Sequence, residues 1–271
     1  MQITFLGTCS GTEPVAGRHH SALTIEHGGG LYWFDAGENC AYAAYTMGLD
    51  MLSLRALFIS HPHLDHTGGL ADLIWTIDKT LWNQEFYPER VSGNPARLLD
   101  GGDVQVFIPN LDVWRAAMQL VAGPRADYAL RYRVEAQSYG DGLLFDREGF
   151  RVSAVHNTHL KQPPAGEPWQ AFSFLIETEG KRIVHSGDVG HITELEPLLR
   201  GGCDLLLMET GHHLPEEVCR YVLEAPWPIA RLGFIHSGLA ILDDLEGQQA
   251  VVDDLLGGRA FIAYDGQQIC L

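Results

Sequence analysis

Ala56-Leu-Phe-Ile-Ser60-His61-Pro-His63-Leu-Asp65-His66 is the stretch that decides the reading of this chain. Ala56–Ser60 is apolar up to its last residue and reads as a short buried strand. It runs straight into His61, His63, Asp65 and His66, all potential metal ligands, at a strand-to-helix turn. Imidazole together with carboxylate suits Zn²⁺, Mn²⁺ or Fe. A tight turn can aim His61 and His63 at one ion and Asp65 and His66 at a second. A helix is expected from about His66, with Leu70, Leu73, Ile74 and Ile77 at helical spacing.

The same organisation repeats outward from this stretch. Strand-like segments alternate with helix-like ones, the pattern of an α/β architecture. Polar residues recur where apolar strands end: Asp35, His61 and His63, Asp188, Glu209 and His236. That edge of an α/β sheet is where ligand and catalytic sites collect. Asn39–Met47 reads as a short helix stopped by Gly48. Residues 82–102, with Pro88, Gly93, Pro95, Gly101 and Gly102, read as a long loop or insertion. Trp82, Phe86, Tyr87 and Trp169 are candidates for lining a pocket mouth. Phe261–Tyr264 and Gln268–Leu271, joined by Asp265-Gly266, are expected to form a terminal hairpin.

Composition bounds the function. The chain has 271 residues, with 18 Lys+Arg against 35 Asp+Glu and a formal charge of −17. A 46% hydrophobic content excludes wholesale disorder and is enough to build a core for residues 1–271 as a single domain. The charge argues against a protein that wraps nucleic acid, whose affinity comes from Lys and Arg neutralising phosphates. No apolar run approaches the roughly 20 residues of a membrane span. Cys9, Cys40, Cys203, Cys219 and Cys270 are scattered without a CxxC pair, and no signal peptide is evident at Met1. Both observations predict reduced thiols and a cytoplasmic location.

The His61–His66 motif resembles that of the metallo-β-lactamase-fold superfamily of dinuclear metal hydrolases. The rest of that pattern follows in order: Asp35 in Leu31-Tyr-Trp-Phe-Asp-Ala-Gly, His159 in Ala154-Val-His-Asn-Thr-His, Asp188 in Ser186-Gly-Asp and His236 in Phe234-Ile-His-Ser. The resemblance implies a four-layer αβ/βα sandwich of two mixed β-sheets flanked by helices, and two divalent ions, zinc before manganese or iron. It places His61, His63 and His159 on one ion, Asp65, His66 and His236 on the other, and Asp188 between them, with Asp35 orienting rather than ligating. His156 competes with His159, but His159 lies nearer the loop end.

The nearest branch is that of ribonuclease Z and the cyclic phosphodiesterases, which the opening Phe5-Leu-Gly-Thr-Cys-Ser-Gly-Thr resembles. Pro14 and Arg18 match a PxKxRN stretch, with Ala16 and His19 in place of its Lys and Asn. Glu209 matches a His-Glu-Ala-Thr stretch in which Met208 replaces the catalytic His. These departures and the acidic charge weigh against tRNA 3′-end processing. The expectation is a metal-bridging hydroxide that attacks a small or cyclic phosphodiester. Asp65, Glu209 and His213 are the candidate catalytic groups, His213 or His212 as acid; Arg18 and His19 are the substrate-binding ones. Ester, lactone or thioester hydrolysis and a non-catalytic binding role are the alternatives, and a homodimer is a further expectation.

Overall fold

The computed structural model describes residues 1–90, 103–125 and 127–271. Among these, one sheet contains β1 (Gln2–Gly7), β2 (Ala22–His27), β3 (Gly30–Phe34), β4 (Leu54–Phe58), β5 (Val104–Phe107), β6 (Val134–Gln137) and the last strand, β14 (Gln268–Cys270). Its order is β14-β1-β2-β3-β4-β5-β6. The second sheet contains β7 (Gly142–Arg147), β8 (Phe150–His156), β9 (Phe172–Thr178), β10 (Lys181–His185), β11 (Cys203–Thr210), β12 (Ile229–Ser237) and β13 (Ala260–Ile262), in reverse order from β13 to β7. Both sheets mix parallel and antiparallel pairs.

Alternation along β3 explains the layering. Tyr32 and Phe34 face the second sheet, where Tyr32 stacks on Phe150 with ring centroids 3.6 Å apart. Leu31 and Trp33 face the opposite way, into the layer of α1 (Cys40–Thr46), α3 (Leu70–Phe86) and α4 (Leu111–Ala122), the short α2 (Leu64–Thr67) preceding α3. A strand buried on both faces reads as an unbroken apolar run, as Leu31–Phe34 does. On the far side, β10–β13 bury Val184, Leu206 and Phe234 under α5 (Glu196–Leu199), α6 (Pro215–Glu224), α7 (Leu239–Asp243) and α8 (Leu245–Leu256). The result is the expected helix–sheet–sheet–helix sandwich. No helix among the described residues is long and apolar enough to cross a membrane.

Two expectations are corrected. The segment read as a loop from Trp82 is helical as far as Phe86, because α3 carries its apolar face through Ile77 and its Trp82 packs against Phe86 and Tyr87. Pro88–Arg90 is a single 3₁₀ turn, and the rest of the stretch, 91–102, lies outside the described residues. The terminal strands form no hairpin with each other. β13 pairs in parallel with β12 in the second sheet, while β14 pairs antiparallel with β1 in the first. Each completes the open edge of a different sheet, so Asp265-Gly266 crosses between the sheets instead of turning back within one.

Candidate metal centre

The strand ends deliver the site. β4 ends at Phe58 and leads through Ser60 into His61, and α2 begins at Leu64, directly after His63. Nε2 of His61 and Nε2 of His159 lie 3.1 and 3.2 Å from Nδ1 of His63. These separations are close to the roughly 3.3 Å edge of a tetrahedron built on 2.0–2.1 Å metal–nitrogen bonds. Burial first, and then the neighbouring His66, push the pKa of His61 well below its ordinary value. Burial also lowers that of His159. Both rings are therefore held neutral with a lone pair to offer.

Asp65, His66, Asp188 and His236 converge beside this trio. Asp188 sits between the groups. Its Oδ1 is 3.3 Å from Nε2 of His66. Its Oδ2 is 3.2 Å from Nε2 of His236, 3.7 Å from His159 and 3.8 Å from His61. Oδ2 of Asp65 lies 3.6 Å from Nε2 of His66 and 3.8 Å from Nε2 of His236. Burial opposes ionisation of Asp188, yet His236, His66 and His61 outweigh it and hold the carboxyl well below its usual range. His66 Nε2 and Asp188 Oδ1 are buried without a hydrogen-bond partner. Buried polar atoms are rarely left so. Orphaned polar atoms, five converging imidazoles and two carboxylates fit divalent cations, and their nitrogen and oxygen chemistry suits Zn²⁺, Mn²⁺ or Fe.

A second layer fixes these rings. Asp35 accepts from Ser60 N, Ser60 Oγ and His66 Nδ1 at 2.7, 2.8 and 2.7 Å. Ser21 Oγ lies 2.6 Å from Nδ1 of His236. Asp35 and His236 both adopt left-handed backbone, with φ of 56° and 50°. That conformation costs a non-glycine residue roughly 1–2 kcal/mol and persists only where the surroundings enforce it. His185 stacks on Phe34 and its Nδ1 accepts from Gly187 N at 2.8 Å; it belongs to the core, where burial lowers its pKa to about 4.

The candidates outside the ligand set part company. His156 is taken by Asp141, which receives its N–H and faces its Nδ1, both at 2.7 Å, and it stacks on Trp169. His159, not His156, stands with His61 and His63. Arg18 braces the frame through Nη1, which donates to Thr8 Oγ1 and to the carbonyl of Ala263. His19 is likewise engaged, with Nδ1 2.9 Å from Asp265 and Nε2 2.8 Å from Asn39 Nδ2. Both point at frame residues because the preceding loop folds back onto the crossing between the sheets. Glu209 is fully buried and accepts from His212 N, with His212 Nδ1 3.1 Å and His213 Nε2 3.5 Å away. His212 rather than His213 reaches the ligands, its ring 4.8 Å from that of His159 and 6.1 Å from that of His236. The hydrogen bond to Glu209 raises its pKa. Sequence placed His212 and His213 side by side and could not separate them. The missed group is Ser21, a small polar residue at a strand start with nothing local to mark it.

Two sheets packed face to face, with His and Asp side chains that could hold metal gathered at one edge, define a hydrolase of the metallo-β-lactamase fold. Residues 34–252 match the family described as "Beta-lactamase superfamily domain", and the chain belongs to that family. A ribonuclease Z from Natronomonas pharaonis is 27% identical over 307 aligned positions, spanning 99% of this chain and 97% of its own length. Among solved structures, human tRNase Z, short form, superposes with a TM-score of 0.65 at 21% identity, covering 100% of this chain and 99% of that one. The metallo-β-lactamase fold protein YhfI from Bacillus subtilis gives a TM-score of 0.70 at 15% identity, covering 99% and 98%. The expectation against nucleic acid stands partly at odds with relatives that are named as ribonucleases.

Proposed function

We propose that this chain is a phosphodiesterase with a dinuclear metal centre, acting on a small or cyclic phosphodiester. The observation that carries the reading is the position of Asp188, within 4 Å of ligand atoms from both groups. His61, His63 and His159 would hold one ion; Asp65, His66 and His236 would hold the other, with Asp188 shared. When bound, two such ions lower the pKa of a shared water to roughly 7 and draw charge from a phosphoryl oxygen.

The remaining steps fall to the chain's own side chains. Asp188 and Asp65 supply the negative charge that keeps cations in a buried site. His212, half-exposed and held through Nδ1 by Glu209, is placed to give a proton to the leaving oxygen. Glu209, out of solvent, orients that ring rather than touching substrate. A chain of formal charge −17 repels a long polyanion more than a single phosphodiester, which supports the small substrate.

The relatives named ribonuclease Z, one of them matched over nearly the whole chain, favour a second reading, cleavage of an RNA phosphodiester. Metal content, hydrolysis of bis(p-nitrophenyl) phosphate and cleavage of a tRNA precursor, compared for wild type and Asp188→Ala, separate the two. About two ions per chain, with diester hydrolysis lost in the variant and no RNA cleavage, is the expected result. RNA cleavage that falls steeply with salt would move the assignment to the nuclease. Two ions with hydrolysis only of esters or lactones would overturn both.

A further inference from the structure

We infer, on the dinuclear reading proposed above, that the two metal positions are held by separate carboxylate clasps remote from the ions: Asp265 supports the Asp65/His236 position, and Glu194 supports the His159 position.

Asp265 lies in the crossing between β13 and β14, yet it fastens both ends of the loop between β1 and β2. Its Oδ1 accepts from Thr8 N and Thr8 Oγ1 at 2.9 and 2.7 Å. Its Oδ2 accepts from His19 N at 2.7 Å and faces His19 Nδ1 at 2.9 Å. Between those ends the loop forms one wall of the metal centre. A Cβ on Gly11 would stand 2.8 Å from Asp65 Oδ2. Ser10 N donates to the carbonyl of Ser237, and Ser237 N donates to that of Thr8, on either side of a bridge next to His236. Ser21, two residues after His19, orients His236 through Nδ1. One carboxylate with a side chain only 13% exposed thus sets the loop that sets Asp65 and His236.

Glu194 does the equivalent work on the other side. Its Oε1 accepts from Thr158 N and Thr158 Oγ1 at 3.0 and 2.6 Å, one residue before His159. Its Oε2 accepts from His191 N at 3.0 Å, three residues after Asp188. The loops carrying these two ligands are drawn so close that a Cβ on Gly190 would lie 2.3 Å from Thr158 Oγ1. Among the described residues, the hydrogen bonds of Glu194 go to Thr158 and His191 and do not reach the loop that Asp265 holds. Groups that orient metal ligands in this way are commonly worth 10–100-fold in metal affinity.

The test titrates the metal-free, full-length chain with Zn²⁺ and with Mn²⁺ against a competing chelator, following stoichiometry and both stepwise constants. Asp265→Ala and Glu194→Ala are each expected to keep one tight ion and weaken the other tenfold or more. Added to His236→Ala, Asp265→Ala should change nothing further; added to His159→Ala, it should leave neither ion tightly held. Glu194→Ala should show the reverse. Glu194→Gln keeps Oε1 as an acceptor for Thr158 but sets an NH₂ against His191 N, so it should restore only part of the loss. Each alanine variant strands donors and is expected to melt below metal-free wild type, so binding is compared at a temperature at which all the variants are folded. Equal weakening of both ions in either single variant, or wild-type binding of both, would overturn the assignment. Fewer than two ions in wild type would remove the dinuclear reading, and this one with it.

Discussion

Asp35 Oδ2 lies 2.7 Å from Nδ1 of His66, which leaves Nε2 of that ring bare and turned toward Asp188. Two buried charges are tied to one ring, so burial, which alone would lower the pKa of His66, is outweighed by Asp188 and then Asp35, and it is raised. Asp35→Ala strands three buried donors, two of them on Ser60. Each stranded donor costs on the order of 1–3 kcal/mol. A total loss of roughly 3 kcal/mol or more in denaturant unfolding of the metal-free chain is expected, together with a 10–100-fold loss of metal affinity. Wild-type stability with impaired metal binding would show that the residue only orients His66.

His212 and His213 can be told apart by the leaving group. A positioned general acid contributes typically 10²–10⁴-fold when the leaving oxygen needs a proton. His212→Ala should therefore lower turnover of an alkyl diester about 100-fold or more, while hydrolysis of a p-nitrophenyl diester changes little. His213→Ala, whose ring meets Glu209 and the Val189 carbonyl, should not show that split.

His185 predicts a pH dependence of stability. Its pKa falls to about 4 in the folded chain, chiefly by burial, against 6.5 for the exposed ring. Between those values the unfolded chain binds the extra proton, so stability rises with pH across that window. The contribution is complete above about pH 6.5 and is lost as pH falls toward 4, to the extent of roughly 3 kcal/mol. His185→Asn, which can still accept from Gly187 N, should flatten the unfolding free energy between pH 4 and 6.5 relative to wild type. Unchanged slopes would refute it.

Gly7→Ala tests how tightly the first loop is held. The added Cβ would fall 1.8 Å from the carbonyl oxygen of His20, which is backbone and cannot rotate away. Overpacking of this kind costs typically 1–3 kcal/mol. A fall in melting temperature of several degrees is expected, with weaker metal binding because Ser21 moves with His20. An unshifted melting curve would show that the loop yields.

Much of the fold was legible because apolar strands ended in candidate ligand residues. His61–His66 carries its own geometry within one turn, and Asp35, Asp188, His159 and His236 follow strands whose burial the sequence states openly. Illegible were contacts made across long separations. Nothing near Arg18 or His19 announces Asp265, and nothing near Thr158 announces Glu194. The terminal strands misled because a Asp-Gly turn between two apolar runs signals a hairpin locally, while the choice of partner depends on which sheet edges stand open. Trp82–Phe86 misled because Pro and Gly further on coloured the reading of a helix end.

The crossing from β13 to β14 imposes an order in time. Pairing Gln2 with Cys270 closes a loop that spans almost the whole chain. Contacts of such separation form late, after local pairings have shortened the path between the ends. Until then β1 keeps an unpaired outer edge, open to other chains. Asp265 lies in the same crossing, so on the proposed clasp the half of the centre that leans on it is expected to become ready for its ion only once this pairing has formed.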